Sequence, residues 1–171
     1  MVSPSDIFAA HILIVDNQEA NVWLLEQMLG EAGYRCIAST MDPHTVCALH
    51  RQTRYDLILF DLQMPGMNGF QVTEYLKVLE VDGYLPVLVI TAQPNQKLRA
   101  LRAGAKDFIS KPFDIAEVLL RVHNMIEVRL LHLETKKLYN ELIAQQKQSF
   151  ELAALPGTMM GVEVVPWYHS H

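Results

Sequence analysis

The chain has 171 residues, half of them hydrophobic, which is enough for one sizeable core and too few for two ordinary domains. Its 14 basic and 19 acidic residues give a formal net charge of −5, which argues against nucleic acid as the default ligand. We expect a solvated face for basic residues such as Arg99, Arg102, Lys106, Arg121 and Arg129. The two cysteines, Cys36 and Cys47, form no CxxC pattern, and no apolar run reaches the ~18 residues of a membrane span, so we expect a cytoplasmic protein with no membrane partner.

The first predicted elements are two strands and two helices. His11–Val15 is a short apolar run that ends at an acid, Asp16, which is typical of a strand buried on both faces. From Ala20, apolar residues recur at helical spacing until Gly30 and Gly33 end the helix. The second strand and the second helix are predicted at Arg35–Ser39 and Pro43–His50.

The third predicted strand, Leu57–Phe60, also ends at an acid. Asp61 follows it directly, and turn-forming residues up to Gly69 then lead into a helix over 70–79. In open α/β sheets, ligands collect at the carboxyl ends of the strands, so an acid at this point indicates a functional site. The alternative is that Asp61 only caps the turn that follows.

The second half of the chain continues the alternation of strands and helices. The remaining elements are a strand at Val87–Thr91, a helix around 98–102 closed by Gly104, a strand at Asp107–Ser110 and a helix that begins at Ile115. Five strand and helix pairs in strict order predict parallel strands with helices on both faces. We therefore expect a doubly wound, flavodoxin-like α/β sandwich with strand order 2-1-3-4-5.

The fifth predicted helix is unusually long, because neither glycine nor proline interrupts it before Pro156. A weak heptad pattern runs through Val128, Leu131, Thr135, Leu138, Leu142 and Gln145. We expect this stripe to pair with a second copy and form a homodimer, whereas the alternative is a helix that folds back onto its own domain. The predicted organisation is a domain over 8–127, a helical extension over 128–150 and an irregular tail over 151–171.

The predicted topology brings polar residues from four strands to one edge of the sheet. These residues are Asp16 with Asn17, Asp61, Thr91 and Lys111. Two carboxylates with a backbone carbonyl suit Mg²⁺, which shares its ligands with a phosphoryl oxygen. Asp61 is then a carboxylate nucleophile that can form an aspartyl phosphate. Lys111 supplies a fixed positive charge and the Thr91 hydroxyl a neutral hydrogen bond for the phosphoryl oxygens.

Four short segments resemble a known family. VDN after the first strand, FDLQMPGMNGF around Asp61, ITA at the fourth strand and SKPF at the fifth match the receiver domain of two-component response regulators. The resemblance covers roughly His11 to Glu127. Within that family the chain is most similar to receivers joined to HD-GYP-type cyclic-di-GMP phosphodiesterases. We expect no output domain after it, because 151–171 is too short to fold alone.

The resemblance implies a signalling role rather than that of an enzyme. It implies that a histidine kinase or phosphotransfer protein phosphorylates Asp61, and that Mg²⁺ is bound by the acidic pair and the Gln63 carbonyl. It also implies that Thr91 shifts toward the phosphoryl group, with Phe108 at the aromatic switch position, and that the bond before Pro112 is cis. The changed surface would comprise the fourth and fifth predicted helices and the fifth strand, and would contact a downstream protein.

Asn17 departs from the family pattern, in which a second acid at this position binds the metal. An amide oxygen can still coordinate Mg²⁺ but brings no charge, so we expect weaker metal binding with the geometry retained. An alternative function follows from this substitution, namely a pseudo-receiver that works as an unphosphorylated adaptor.

Two rival classes fit the residues less well. A phosphatase of the haloacid dehalogenase type also uses an aspartate after a strand, but it needs a second acid two residues later, where this chain has Gln63. A flavodoxin-like cofactor binder needs a phosphate loop rich in Ser, Thr and Gly after the first strand, whereas the acids of this segment, Asp16 and Glu19, would repel phosphate.

Overall fold

The computed structural model describes residues 1–63, 69–80 and 84–154. Its centre is a five-stranded parallel sheet with the order β2-β1-β3-β4-β5. The strands are β1 (His11–Val15), β2 (Cys36–Thr40), β3 (Leu57–Phe60), β4 (Val87–Thr91) and β5 (Asp107–Ser110). The predicted fold and strand order are confirmed.

The described residues form six α-helices, one more than the sequence pattern predicts. They are α1 (Pro4–Phe8), α2 (Glu19–Ala32), α3 (Val46–Gln52), α4 (Gly69–Leu79), α5 (Lys97–Ala103) and α6 (Ile115–Ala153). The fourth and fifth predicted helices are therefore α5 and α6. Gly33 and Gly104 end α2 and α5 with φ angles of 111° and 120°, which favour glycine, whereas Gly30 lies within α2.

The additional helix, α1, precedes β1 and packs against the residues that link α2 to β2. Ser3 and Asp6 form a capping box around its first turn, and Pro4 occupies a position where its missing N–H costs nothing. The Phe8 ring lies 5.1 Å from the Tyr34 ring, measured between centroids. This short helix thereby covers apolar surface at the end of α2.

Two apolar layers sandwich the sheet because successive strand residues point to opposite faces. Ile12 and Ile14 of β1 face the layer formed with α1, α2 and α6. Leu13 and Val15 face the layer formed with α3, α4 and α5. With helices on both faces, all four residues are at most 1% exposed, which explains the continuous apolar run in this strand.

The chain divides into two compact units, Met1–Glu134 and Thr135–His171. In the first unit, α6 buries a stripe of Val118, Val122 and Ile126, each 0% exposed. In the second unit, α6 continues to Ala153, and the rest of the predicted irregular tail, residues 155–171, lies outside the described residues. A search of the described helices finds no segment long and apolar enough to cross a membrane.

Candidate functional site

The predicted site residues meet at the carboxyl edge of the sheet. Asp16 follows β1 and Asp61 follows β3, and the two strands are hydrogen-bonded neighbours in which Val15 pairs with Phe60. The two acids are therefore side by side, only 2% and 5% exposed. A buried acid is rare unless it is paired, so the partners of Asp16 and Asp61 indicate the chemistry that this site supports.

Lys111 is the shared partner of both acids. Its Nζ lies 2.9 Å from Asp61 Oδ2 and 3.2 Å from Asp16 Oδ2. The peptide bond from Lys111 to Pro112 is cis, as the family resemblance implies. Because one ammonium faces two carboxylates, the group of three carries a formal charge of −1, which favours an additional cation.

Backbone amides hold the second oxygen of each acid in the same way. The Gln18 amide donates to Asp16 Oδ1 and the Gln63 amide donates to Asp61 Oδ1, both at 2.9 Å. Each acid thus closes a turn onto the residue two positions later. These hydrogen bonds fix the orientation of both carboxylates toward Lys111.

Thr91, the last residue of β4, contributes a hydroxyl that is fully buried. Within the described residues, its Oγ1 has no hydrogen-bond partner. Its carbonyl accepts a hydrogen bond of 2.9 Å from the Lys111 amide, so the two residues are held together by their backbones. A buried hydroxyl without a partner is costly, and an oxygen-rich ligand at this edge would satisfy it.

Phe108 lies two residues before the end of β5. It is 6% exposed and pairs in register with Val89 of β4, in the same way as Ser110 pairs with Thr91. Its ring belongs to the apolar layer that includes Ala100 of α5. The aromatic position predicted to act as a switch is therefore on the strand next to Thr91, packed inward.

The donors at this edge fit a hard divalent cation such as Mg²⁺. The structure brings together two carboxylates, while Asn17 and Gln63 beside them can add an amide and a carbonyl oxygen. All of these donors are oxygens, the type that Mg²⁺ prefers. Among the described residues, no group of three or more His, Cys, Asp or Glu side chains could hold a metal ion.

One buried charge contradicts the sequence interpretation. The pattern indicates that Arg129 lies on a solvated face, yet the structure buries its side chain to 2% exposure. A signal was available, because Arg129 follows the buried residues Val122 and Ile126 at helical spacing on the same face of α6. The prediction instead followed the usual preference of arginine for the surface.

A doubly wound sheet with two acids, a threonine and a lysine at its carboxyl edge is the arrangement of a receiver-type domain. The chain belongs to the response regulator receiver domain family, whose profile matches residues 12–123. Members of this family are the receivers of two-component signalling, so the predicted family is confirmed. Its similarity to receivers joined to HD-GYP domains stays a prediction.

Individual relatives support this assignment. The chain is 36% identical to the protein PilH of Pseudomonas aeruginosa, over 68% of its own length and 97% of that protein. It is 38% identical to the response regulator PleD of Caulobacter vibrioides, over 72% of its own length but only 27% of PleD. The matched part of the chain thus spans about a quarter of PleD.

A solved structure shows the same fold with a metal bound. It is the receiver domain of the sensor histidine kinase PA1611 from Pseudomonas aeruginosa, which has a magnesium ion coordinated in its active site cleft. The two structures superpose with a TM-score of 0.63 at 30% identity, covering 70% of this chain and 98% of that domain.

Proposed function

We propose that this chain accepts a phosphoryl group on Asp61 from a histidine kinase or a phosphotransfer protein. The observation that carries the proposal is the buried Asp61 carboxylate, held 2.9 Å from Lys111 beside a Thr91 hydroxyl that lacks a partner. The Asp61 oxygen attacks the phosphorus of phosphohistidine, the P–N bond breaks, and the imidazole leaves with its electron pair.

Each neighbouring residue has a part in this transfer. Lys111 pairs with the phosphoryl oxygens, and the Thr91 hydroxyl donates a hydrogen bond to one of them. Asp16, Asp61 and the Gln63 carbonyl would hold Mg²⁺ together with Asn17, and the ion would neutralise charge on the incoming phosphoryl group. When Thr91 moves toward the phosphoryl group, it leaves a space that the Phe108 ring fills. This movement of the ring alters the surface formed by α5, β5 and α6.

The surface that would change is formed by α5, β5 and α6. Arg121 of α6 contacts both Asp107 at the start of β5, at 2.6 Å, and Glu117 within its own helix, at 3.1 Å. Hydrogen bonding to Asp107 raises the pKa of Arg121. The ion pair with Asp107 joins β5 to α6, and we propose that a downstream protein binds here.

Asn17 is the feature that favours the second candidate function, an adaptor that works without phosphorylation. We predict that Asn17→Asp tightens Mg²⁺ binding about fivefold, because an added carboxylate near a hydrated divalent ion contributes on the order of 1 kcal/mol. A Mg²⁺ titration followed by NMR measures the effect. Gln18→Glu is the matched control, since it adds the same charge at the next residue, which is exposed. Equal tightening by both variants, or by neither, contradicts a metal-facing Asn17.

The extension offers a surface for a second copy. In the unit Thr135–His171, Leu138 and Leu142 are 58% and 53% exposed at core positions of the heptad pattern. Burial of several hundred Å² at ~25 cal/mol per Å² would contribute several kcal/mol before association costs. Because Thr135 and Gln145 occupy other core positions, we propose a weak homodimer.

We predict that light scattering detects a concentration-dependent dimer, strengthened by phosphoryl donor. Leu138→Ser with Leu142→Ser should weaken it at least tenfold. Ile143→Ser with Phe150→Ser is the control, because these side chains are 46% and 72% exposed and lie outside the heptad stripe. A wild-type chain that stays monomeric at high concentration, with and without donor, rules the dimer out.

A further inference from the structure

A second group of charged side chains lies at the opposite end of the sheet from Asp61. Asp56 precedes β3 and Tyr84 precedes β4, so both are at the amino ends of their strands. His50 comes from α3, Glu80 follows α4, and Arg129 comes from α6. Residues from five parts of the chain therefore converge at the amino ends of the strands. The proposed phosphoryl transfer at Asp61 requires no polar side chains in this region.

Arg129 is at the centre of this group. Its Nη1 lies 3.3 Å from Glu80 Oε1 and donates a hydrogen bond to the Tyr84 carbonyl. Its Nε lies 3.6 Å from Asp56 Oδ1, within ion-pair range. A guanidinium that is 2% exposed has lost its hydration, so these partners must compensate it. Arginine suits the position because its planar fork addresses several acceptors at once.

The Glu80 carboxylate is buried with it and has a further neighbour. Its side chain is 3% exposed, and Oε2 lies 3.3 Å from His50 Nε2. The Tyr55 amide donates to His50 Nδ1 at 3.2 Å, so the ring proton is on Nε2, facing Glu80. Burial lowers the pKa of His50, which keeps the imidazole neutral. Arg129 therefore brings a positive charge to the Glu80 carboxylate, which the neutral imidazole does not.

Arg129 is also the last buried residue of α6 within the first unit, which ends at Glu134. It is buried, and none of the described residues after it is. His132, one turn later, places its ring 5.8 Å from the ring of Tyr84, and Lys106 Nζ lies 5.0 Å from that ring on another side. Two successive turns of α6 thus contact Tyr84, three residues before β4 begins.

We propose that Arg129 is a latch that joins α6, at its last buried residue, to the amino end of β4. Movement of this strand and loosening of this part of α6 are thereby linked. β4 carries Thr91 at its other end. The latch therefore connects a strand that ends at the phosphoacceptor site directly to the part of α6 that lies in the first unit. The connection runs through the Tyr84 carbonyl and Glu80 rather than through the surface of α5 and β5. The proposed link does not depend on phosphorylation of Asp61, and it can be tested without a phosphoryl donor.

Hydrogen exchange of the full chain tests the latch. In Arg129→Met, which keeps a long apolar stem, amides of 126–134 in α6 and of 85–90 around β4 should both exchange at least tenfold faster than in the wild type. Amides of β1 are the internal reference, since a general loss of stability would accelerate them equally. Arg121→Met is the matched control, because Arg121 is on the same helix, paired with Asp107, and 36% exposed. It should leave both segments unchanged.

Two further variants keep the test decisive if Arg129→Met does not fold. Arg129→Lys retains the charge opposite Glu80 but loses the fork that also reaches Tyr84, so it should accelerate both segments to a smaller extent. Glu80→Gln combined with Arg129→Met also removes the buried charge that Arg129 faces in the wild type, and should restore part of the protection. Acceleration in α6 alone, with β4 unchanged, overturns the link, and acceleration in neither segment overturns the latch itself.

Discussion

Incubation with acetyl phosphate and Mg²⁺ should add one phosphoryl group to the wild-type chain and none to Asp61→Asn. The amide removes the nucleophilic oxygen while it retains the size of the side chain and can still accept from the Gln63 amide. Intact mass measurement distinguishes the two results, because a single phosphoryl group changes the mass of the whole chain by a resolvable amount. The effect is expected to be complete, since Asp16, the other acid that contacts Lys111, is proposed as a metal ligand and not as the nucleophile.

Asp42→Asn is the matched control for this experiment. Asp42 is an exposed acid two residues after β2, where it caps a short turn by accepting from the His44 amide. It should be labelled like the wild type. Equal labelling of Asp61→Asn and the wild type would place the phosphoryl group elsewhere, while a wild type that resists labelling at high Mg²⁺ concentration favours the adaptor function that Asn17 suggests.

Removal of Lys111 should be the most destabilising single change at the site. Lys111→Ala leaves Asp16 and Asp61, with side chains 3% and 6% exposed, facing each other without the ammonium between them. Loss of one partner from a buried ion pair costs about 3–5 kcal/mol, and the partial exposure of Lys111 favours the lower end of that range. Urea unfolding at neutral pH measures the change in the free energy of unfolding.

Added Mg²⁺ should return much of this lost stability, because a divalent ion can take over the neutralisation of both carboxylates. Lys106→Ala is the control, since it removes a lysine from the exposed surface and should change stability by less than about 1 kcal/mol. If Lys111→Ala is as stable as the wild type without metal, then the contacts at 2.9 and 3.2 Å contribute little to the fold.

Strand positions could be predicted from sequence because these strands are buried on both faces. The observed bounds of β1, β3, β4 and β5 coincide with the predicted apolar runs, whereas β2, at the edge of the sheet and half-buried, is displaced by one residue from Arg35–Ser39 to Cys36–Thr40. The second predicted helix likewise divides into a 3-10 turn at Pro43–Thr45 followed by α3. Apolar content defines a buried strand sharply and defines the half-exposed elements less well.

Contacts over long distances in the chain explain what the sequence could not predict. The segment that forms α1 is too short to show helical periodicity, although Ser3, Pro4 and Asp6 carry the signal of a capped helix start. Two partners of Arg129, the Tyr84 carbonyl and Glu80, lie 45 and 49 positions earlier in the chain. No local sequence pattern could reveal contacts over such separations. At the candidate site, the strand-end rule indicated the residues but not that Lys111 contacts both acids.

The Thr91 hydroxyl, buried and without a hydrogen-bond partner in the described residues, makes β4 a place where stability and function conflict. An unsatisfied hydroxyl of this kind costs about 1–3 kcal/mol, and a valine, which has nearly the same shape, would avoid that cost. Selection for stability alone would therefore favour valine at this position. The threonine is advantageous only when an acceptor occupies the site, so under the proposed function the resting protein retains a defect that phosphorylation repairs.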